Sequence, residues 1–337
     1  MVGFEQLESF DYSRPFRAEG EHRSRPITMS IWYPAQTDDE RPVRYGRYLD
    51  GADGRESFQA RLATYGYSLS PAELEALFSS ETGAVEKAPR ASGPFPLLIF
   101  GTGLTGPFYL NTVLCEYLAS HGYIVVAIPS LPAREDVEAA YDALAVDAQI
   151  RDMEFVIQEM HGYAEVGDGR LGLVAWSLGG VAQALLQMKN TDVGAVVSLD
   201  AATGYAYGEK LLESSLFFQP QRATAAFLHA TDSRESGQVP KSFRYFDEVA
   251  RGRSYLLTIE GATHAEFTSL ANVVPLRVAP HESREGSEEA LERYRRLCLY
   301  VRRFLDASLK SDGSAAEFLE DAPTRHGFDG LVLSRKR

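Results

Sequence analysis

Apolar and polar positions along the chain alternate between two patterns. Short, nearly unbroken apolar runs of strand length are separated by longer stretches whose apolar residues recur at helical spacing. The first strand candidates are Gly3–Phe10 and Thr28–Tyr33, the second closed by Pro34. Pro96–Phe100, Tyr123–Ile128, Gly172–Trp176, Val193–Leu199, Ala223–His229 and Ser254–Ile259 follow. Helix candidates lie between and after them: Gly106–His121, a long one from about Val137 to His161, Leu178–Lys189, and Ser287–Leu309. In the long one, Val146, Ile150, Met153, Ile157 and Met160 form a stripe that faces a core, and Leu291, Tyr294, Leu297, Val301 and Leu305 do the same in the last. Strands alternating with helices predict an α/β fold, a doubly wound and mostly parallel sheet.

The polar stretch Ala35–Ser92 breaks the alternation. Within it Ser57–Tyr65 and Ser70–Phe78 read as short helices, the second opened by Ser70 as cap, Pro71 at the first position and Glu73 three residues on. The chain is therefore expected to form a single domain, 1–337, with 35–92 as a helical insertion before the strand at Pro96. Tyr65, Tyr67, Leu69, Leu74, Leu77 and Phe78 make the insertion apolar enough either to act as a lid or simply to pack onto the domain. The tail after Lys310 shows no regular pattern.

Composition narrows the partners. With 34 Lys+Arg against 47 Asp+Glu the formal net charge is −13, which disfavours nucleic acid. The apolar fraction of 45% supports a sizeable core. Two cysteines, Cys115 and Cys298, are too few for a disulfide scaffold and sit in helical patterns, as buried thiols do. No apolar run reaches the length of a transmembrane span. Met1–Phe10 lacks a basic start followed by an apolar stretch, so no signal peptide is read there, and the compartment stays open.

The sharpest chemical signal is Ala175-Trp176-Ser177-Leu178-Gly179-Gly180, which follows a strand and opens a helix. A serine on such a turn projects its hydroxyl from the carboxyl edge of the sheet, and the tight turn requires small residues two positions to either side. Ala175 and Gly179 meet that demand. A hydroxyl needs a general base to act as a nucleophile, and the partners are expected after Ser177, acid before histidine. His264, in Gly261-Ala262-Thr263-His264 after the last strand candidate, stands where the base belongs. His121 and His229 read as structural, and His22, His161, His281 and His326 lie outside the expected positions. Two acids compete: Asp200 ends the strand Val193–Leu199, and Asp232 follows the next strand. The residues alone leave them even. An oxyanion hole is expected from the amide of Leu178 and from the loop Gly101-Thr102-Gly103-Leu104-Thr105-Gly106. That loop lacks the spacing and the lysine of a phosphate-binding loop, and the histidines show no metal-ligand spacing.

Several segments together resemble the α/β-hydrolases, and among them the platelet-activating-factor acetylhydrolase-like and dienelactone-hydrolase-like esterases. They are Ile31-Trp32-Tyr33-Pro34-Ala35, Phe95–Phe100 with its following glycine loop, Leu118–Tyr123, Trp176–Gly180 and Gly261–His264. The resemblance implies the α/β-hydrolase fold. In the acetylhydrolase-like branch the acid follows the strand after the nucleophile helix, which falls on Asp200. The dienelactone-like branch has it one strand later, at Asp232, but uses cysteine where this chain has Ser177. The family's second oxyanion amide falls on Leu104, although Thr102 stands where the family has histidine.

These readings converge on a serine carboxylic-ester hydrolase with Ser177, Asp200 and His264 as triad and Leu104 and Leu178 as oxyanion donors. No metal or organic cofactor is implied. A small-molecule or lipid-like ester is the expected substrate; a phospholipid with a short acyl chain, an aliphatic ester and a polyester all fit. Acyl transfer or amide hydrolysis on the same triad, and a non-catalytic binding protein on the same fold, are the alternatives. A dinucleotide-binding oxidoreductase lacks its glycine fingerprint here.

Overall fold

The computed structural model describes residues 1–18, 21–36, 41–50, 54–64, 66–133, 141–167, 169, 171–232, 240–278 and 287–336. The chain opens with a long hairpin, β1 (Val2–Ala18) and β2 (Glu21–Pro34). Next come β3 (Pro42–Arg44), α1 (Gly54–Thr64), α2 (Pro71–Ser79) and β4 (Glu81–Glu86). The alternating part runs β5 (Leu97–Gly101), α3 (Thr112–Ser120), β6 (Ile124–Ile128), α4 (Ala143–Met160), β7 (Leu171–Trp176), α5 (Gly179–Lys189) and β8 (Val193–Leu199). It continues with α6 (Ala206–Ser214), β9 (Ala226–Asp232), β10 (Ser254–Ile259), α7 (Ser269–Arg277), α8 (Ser287–Leu309), α9 (Gly313–Glu320) and β11 (Leu331–Lys336).

Among the described residues the strands form one sheet in the order β11-β10-β9-β8-β7-β5-β6-β2-β1-β4-β3. The centre, from β6 through β5, β7, β8 and β9 to β10, is parallel, while β2 and β11 add on antiparallel. Successive side chains on a strand point to opposite faces, and both faces here are covered. Leu98, Phe100 and Val125 pack with Leu114 of α3 and Leu297 and Val301 of α8. Leu97, Ile99 and Val126 pack with Ile150 and Met153 of α4 and Leu185 of α5. Double coverage is why these strands read as unbroken apolar runs. Because β5 lies between β6 and β7, the helices that leave β5 and β7 pass to opposite faces. That opens a crevice at the carboxyl edge of the sheet, where such folds bind ligands.

The expected strands and helices are found, with shifted ends. The helix expected from Val137 begins at Ala143, where Asp142 accepts a hydrogen bond from the amide of Ala145 at 2.9 Å; Val137 itself lies outside the described residues, as do Tyr65 and His281. Ser70 and Glu73 form the expected capping box at the start of α2. The stretch 35–92 differs from expectation in not being helical alone. It also adds β3 and β4 to the sheet edge, with Val2–Phe4 of β1 running parallel to Ala84–Glu86 of β4. β3 is three residues long and β4 mixes glycine and glutamate with its apolar positions, so neither shows a strand period. Leu74, Leu77 and Phe78 are buried, and Phe78 packs on Phe58 of α1, which in turn meets Tyr109. The tail after Lys310 is ordered by Asp312, which caps α9, and by β11, which pairs with β10. Trp32 sits fully buried in an aromatic cluster with Phe4, Tyr48 and Phe108. No helix among the described residues is long and apolar enough to cross a membrane.

The hairpin outreaches its neighbours, since β2 pairs with β6 only over Ser30–Trp32. Its far half is tied down by charge. Arg25, 2% exposed, donates from Nε and a terminal nitrogen to the two carboxylate oxygens of Asp152 in α4, at 2.8 and 2.6 Å, and from its other terminal nitrogen to the carbonyl of Pro132. Arg14 donates to the same carboxylate at 2.7 Å. Removing one partner of a buried pair leaves the other charge uncompensated, at a cost of about 3–5 kcal/mol. Asp152→Ala is expected to lose stability in that range in urea unfolding; a loss below about 1 kcal/mol would show that the cluster does not anchor the hairpin.

Candidate active site

Ser177 occupies the sharp turn between β7 and α5 with φ of +57°. A non-glycine residue in this left-handed region costs about 1–2 kcal/mol, and the surroundings hold it there. The Ser177 amide donates to Leu199 of β8, and its carbonyl accepts from Gly180 and Ala202. Gly179 must be glycine, because a Cβ there would lie 2.6 Å from the carbonyl oxygen of Thr102 and 2.9 Å from that of Gly101. The turn after β7 thus packs backbone to backbone against the loop after β5.

His264 lies in the turn after β10, fixed by a capping box between Thr263 and Glu266, and Arg293 of α8 ion-pairs with Glu266. Its Nε2 is 3.2 Å from Ser177 Oγ, and its Nδ1 is 2.6 Å from Asp200 Oδ2. A carboxylate only accepts, so Nδ1 carries the proton and donates, leaving Nε2 of the neutral ring to accept from the serine hydroxyl. The Trp176 indole stacks on the imidazole at 4.6 Å between centroids and donates from Nε1 to the His264 carbonyl at 3.1 Å. The His264 side chain remains 46% exposed.

Asp200 follows β8 with no solvent exposure and a left-handed φ of +40°. Its Oδ1 accepts from the hydroxyls of Tyr205 and Thr231, each at 2.9 Å. Burial alone would raise the carboxyl, but the hydrogen bond and charge of His264, with the donors Tyr205 and Thr231, outweigh it and hold the group below the usual carboxylate range. Asp232, the competing acid, ion-pairs instead with Lys241, whose ammonium also donates to the Asp232 carbonyl at 2.5 Å and to Thr231 Oγ1 at 3.3 Å.

The loop after β5 folds over the serine. The Thr102 hydroxyl donates to the carbonyl of Gly106, Gln149 of α4 donates to the Thr102 carbonyl, and the Gly106 amide closes a turn onto Gly103. Thr102, placed where the resembled family has histidine, thus braces the loop from inside. Gly103 passes so close to the turn that a Cβ would lie 3.0 Å from both Ser177 Cβ and the Trp176 ring. The amides of Leu104 and Leu178 have no acceptor among the described residues, and Leu178 stands at the amino end of α5, where amides lack intrahelical partners. The stretch 35–92 reaches this loop through Arg61 of α1, which donates to the Thr105 carbonyl at 3.0 Å, and reaches α7 through the Tyr67 hydroxyl on Ala271.

The sheet edge therefore brings together Ser177, His264 and Asp200, with Leu104 and Leu178 in the loops around them, and engages Asp232 elsewhere. A solved structure, ferulic acid esterase from Streptomyces cinnamoneus, superposes with a TM-score of 0.69 at 19% identity, covering 100% of this chain and 96% of that one. The chain has the α/β-hydrolase fold. The family model of platelet-activating factor acetylhydrolase, isoform II, matches residues 18–130. That stretch includes the glycine loop after β5 and ends before Ser177. No curated protein matches the chain.

Within this site, sequence reasoning missed the contributions of Tyr205, Thr231 and Lys241. Tyr205 reaches back to Asp200 across a single turn, and Thr231 precedes the acid that competed with Asp200. Neither relation leaves a periodic or motif signal. Cys115 and Cys298 are buried free thiols, as expected, and burial pushes Cys298 up to about 12. The structural reading of His229 also matches its surroundings. Burial pushes its imidazole down to about 4, although the Asp200 charge acts the other way. An unfolded histidine titrates near pH 6.5. Between about pH 6.5 and 4 the unfolded chain takes a proton that the folded one refuses, so this group makes stability fall as pH falls, by about 3 kcal/mol in all. The His229 ring resonances are expected to stay constant from about pH 8 to 5 in NMR; a midpoint near 6.5 would place the ring in water.

Proposed function

We propose that this protein is a serine carboxylic-ester hydrolase. The observation that carries the reading is the continuous hydrogen-bond chain from Ser177 Oγ through His264 to Asp200. Its likeness in fold to an esterase and the partial match to an acetylhydrolase family support the same reaction class.

In this reading His264 Nε2 takes the serine proton as Ser177 Oγ attacks the ester carbonyl. The new oxyanion is held by the amides of Leu104 and Leu178. His264, now doubly protonated, is stabilised by Asp200 and returns its proton to the departing alcohol, leaving an acyl-enzyme. Water deprotonated by the same imidazole then releases the acid. The half-open imidazole gives water access to the second step. Asp200 is the triad acid because it makes the bond to Nδ1, while Asp232 is neutralised by Lys241. Trp176, next to the serine and stacked on the imidazole, offers apolar surface there, which suits an uncharged acyl group and matches an ester substrate of small-molecule or lipid-like character.

The test is hydrolysis of p-nitrophenyl esters of increasing acyl length. Ser177→Ala is expected to lower kcat by at least about a thousandfold with every ester. Asp200→Asn should cost about 10³–10⁴, and Asp232→Asn clearly less, since Asp232 bonds Lys241 and reaches the imidazole only through Thr231 and Asp200. Turnover that survives Ser177→Ala would refute the esterase reading, and a larger loss at Asp232 than at Asp200 would overturn the choice of acid.

A further inference from the structure

The hydrogen-bond chain ends at Asp200 only from the viewpoint of the serine. Behind the carboxylate, three elements converge: the turn Ala202–Gly204 that follows β8, the end of β9, and the segment 240–242. Tyr205 forms an isolated antiparallel bridge with Lys241, the Ser242 amide donates to the Gly204 carbonyl at 2.9 Å, and the Ala206 amide donates to that of Pro240 at 3.1 Å. This small ladder fixes the backbone positions from which Tyr205 and Lys241 project.

Resting on the esterase reading, we propose that Tyr205 and Thr231 are positioning residues of the triad: their two hydroxyls on Oδ1 fix the plane of the Asp200 carboxylate and reserve Oδ2 for His264. The proton inventory supports this. A lysine ammonium carries donors only, so Thr231 Oγ1 accepts from Lys241, and its one hydrogen is committed to Asp200. Burial, followed by the facing carboxylate, pushes the Tyr205 phenol up and keeps it a donor. Asp232 thereby gains a role one step removed: it holds the ammonium that orients Thr231.

The groups facing Asp200 are His264, Tyr205, Tyr207, His229, Lys241 and, through Tyr205 and Lys241, Asp232. Lys241 and Asp232 compensate one another, and His229 is neutral above about pH 4. The two hydroxyl donors stabilise the anion and lower its affinity for protons. Without one of them the Asp200–His264 pair holds its proton more tightly, so activity is lost at higher pH on the acid side. A residue that only supported the fold would lower activity without moving that limb.

The experiment is the pH profile of p-nitrophenyl acetate hydrolysis by wild type, Tyr205→Phe, Thr231→Val and Thr231→Ser, with thermal unfolding as a check on folding. Tyr205→Phe and Thr231→Val are each expected to lower kcat about tenfold, with KM within about twofold, and to raise the acid limb by about 0.5–1 pH unit. Thr231→Ser, which keeps the hydroxyl, should restore both. Wild-type kcat in both variants, or a uniform loss with an unmoved acid limb, would overturn the proposal. Should Tyr205→Phe fail to fold, the contrast between Thr231→Val and Thr231→Ser decides it. Ser177→Ala in the same assay separates the two readings: full activity there would remove the esterase assignment itself, whereas its loss together with unmoved Tyr205 and Thr231 profiles would remove only the positioning roles.

Discussion

A carboxylate without solvent exposure has to be satisfied by the protein or be neutralised, and the arrangement around Asp200 follows from that constraint. One oxygen takes the imidazole N–H, and the other takes two hydroxyls. Each donor has its own support. His264 leans on Trp176 and on a capped turn tied to α8, Thr231 is braced by Lys241, and Tyr205 is held by a backbone bridge. The charge can stay buried and ionised because every partner is fixed before any ligand arrives, which is the condition for electrostatic preorganisation.

The sheet supplies the frame for this. Strand order sends the helices after β5 and β7 to opposite faces, so the two loops meet over one crevice, and Gly179 and Gly103 let them meet at backbone distance. The left-handed conformations at Ser177 and Asp200 are strained features set at the ends of neighbouring parallel strands. Buried β7 and β8 over-determine both, which is how such strain persists. The stretch 35–92 contributes a wall: it packs its apolar residues into the common core and touches the glycine loop through Arg61.

The features legible in the sequence were those with a local physical cause. The apolar runs of the double-faced strands, the stripe of α4 and the small residues around Ser177 each follow from contacts within a few residues, and so could be read directly. Asp200 and Asp232 could not be told apart by local pattern, since each ends a parallel strand; the difference lies in Lys241, a partner whose approach depends on tertiary packing. β3, β4 and β11 were hidden for a related reason. They are short or charged strands at or next to the sheet's edges, stabilised by their neighbours rather than by a period of their own. Tyr205 and Thr231 act through side-chain hydroxyls, which leave no rhythm in the chain.

The stacking of Trp176 on His264 has a consequence for observation. The chain holds two tryptophans. Trp32 is sealed among aromatic rings away from solvent, whereas Trp176 is half-buried and lies flat against the His264 imidazole beside Ser177. The molecule thus carries an intrinsic optical reporter at its site and an internal reference in its core. Changes at the imidazole, whether from a proton or a bound ligand, fall within contact distance of one indole, while the other is packed among Phe4, Tyr48 and Phe108.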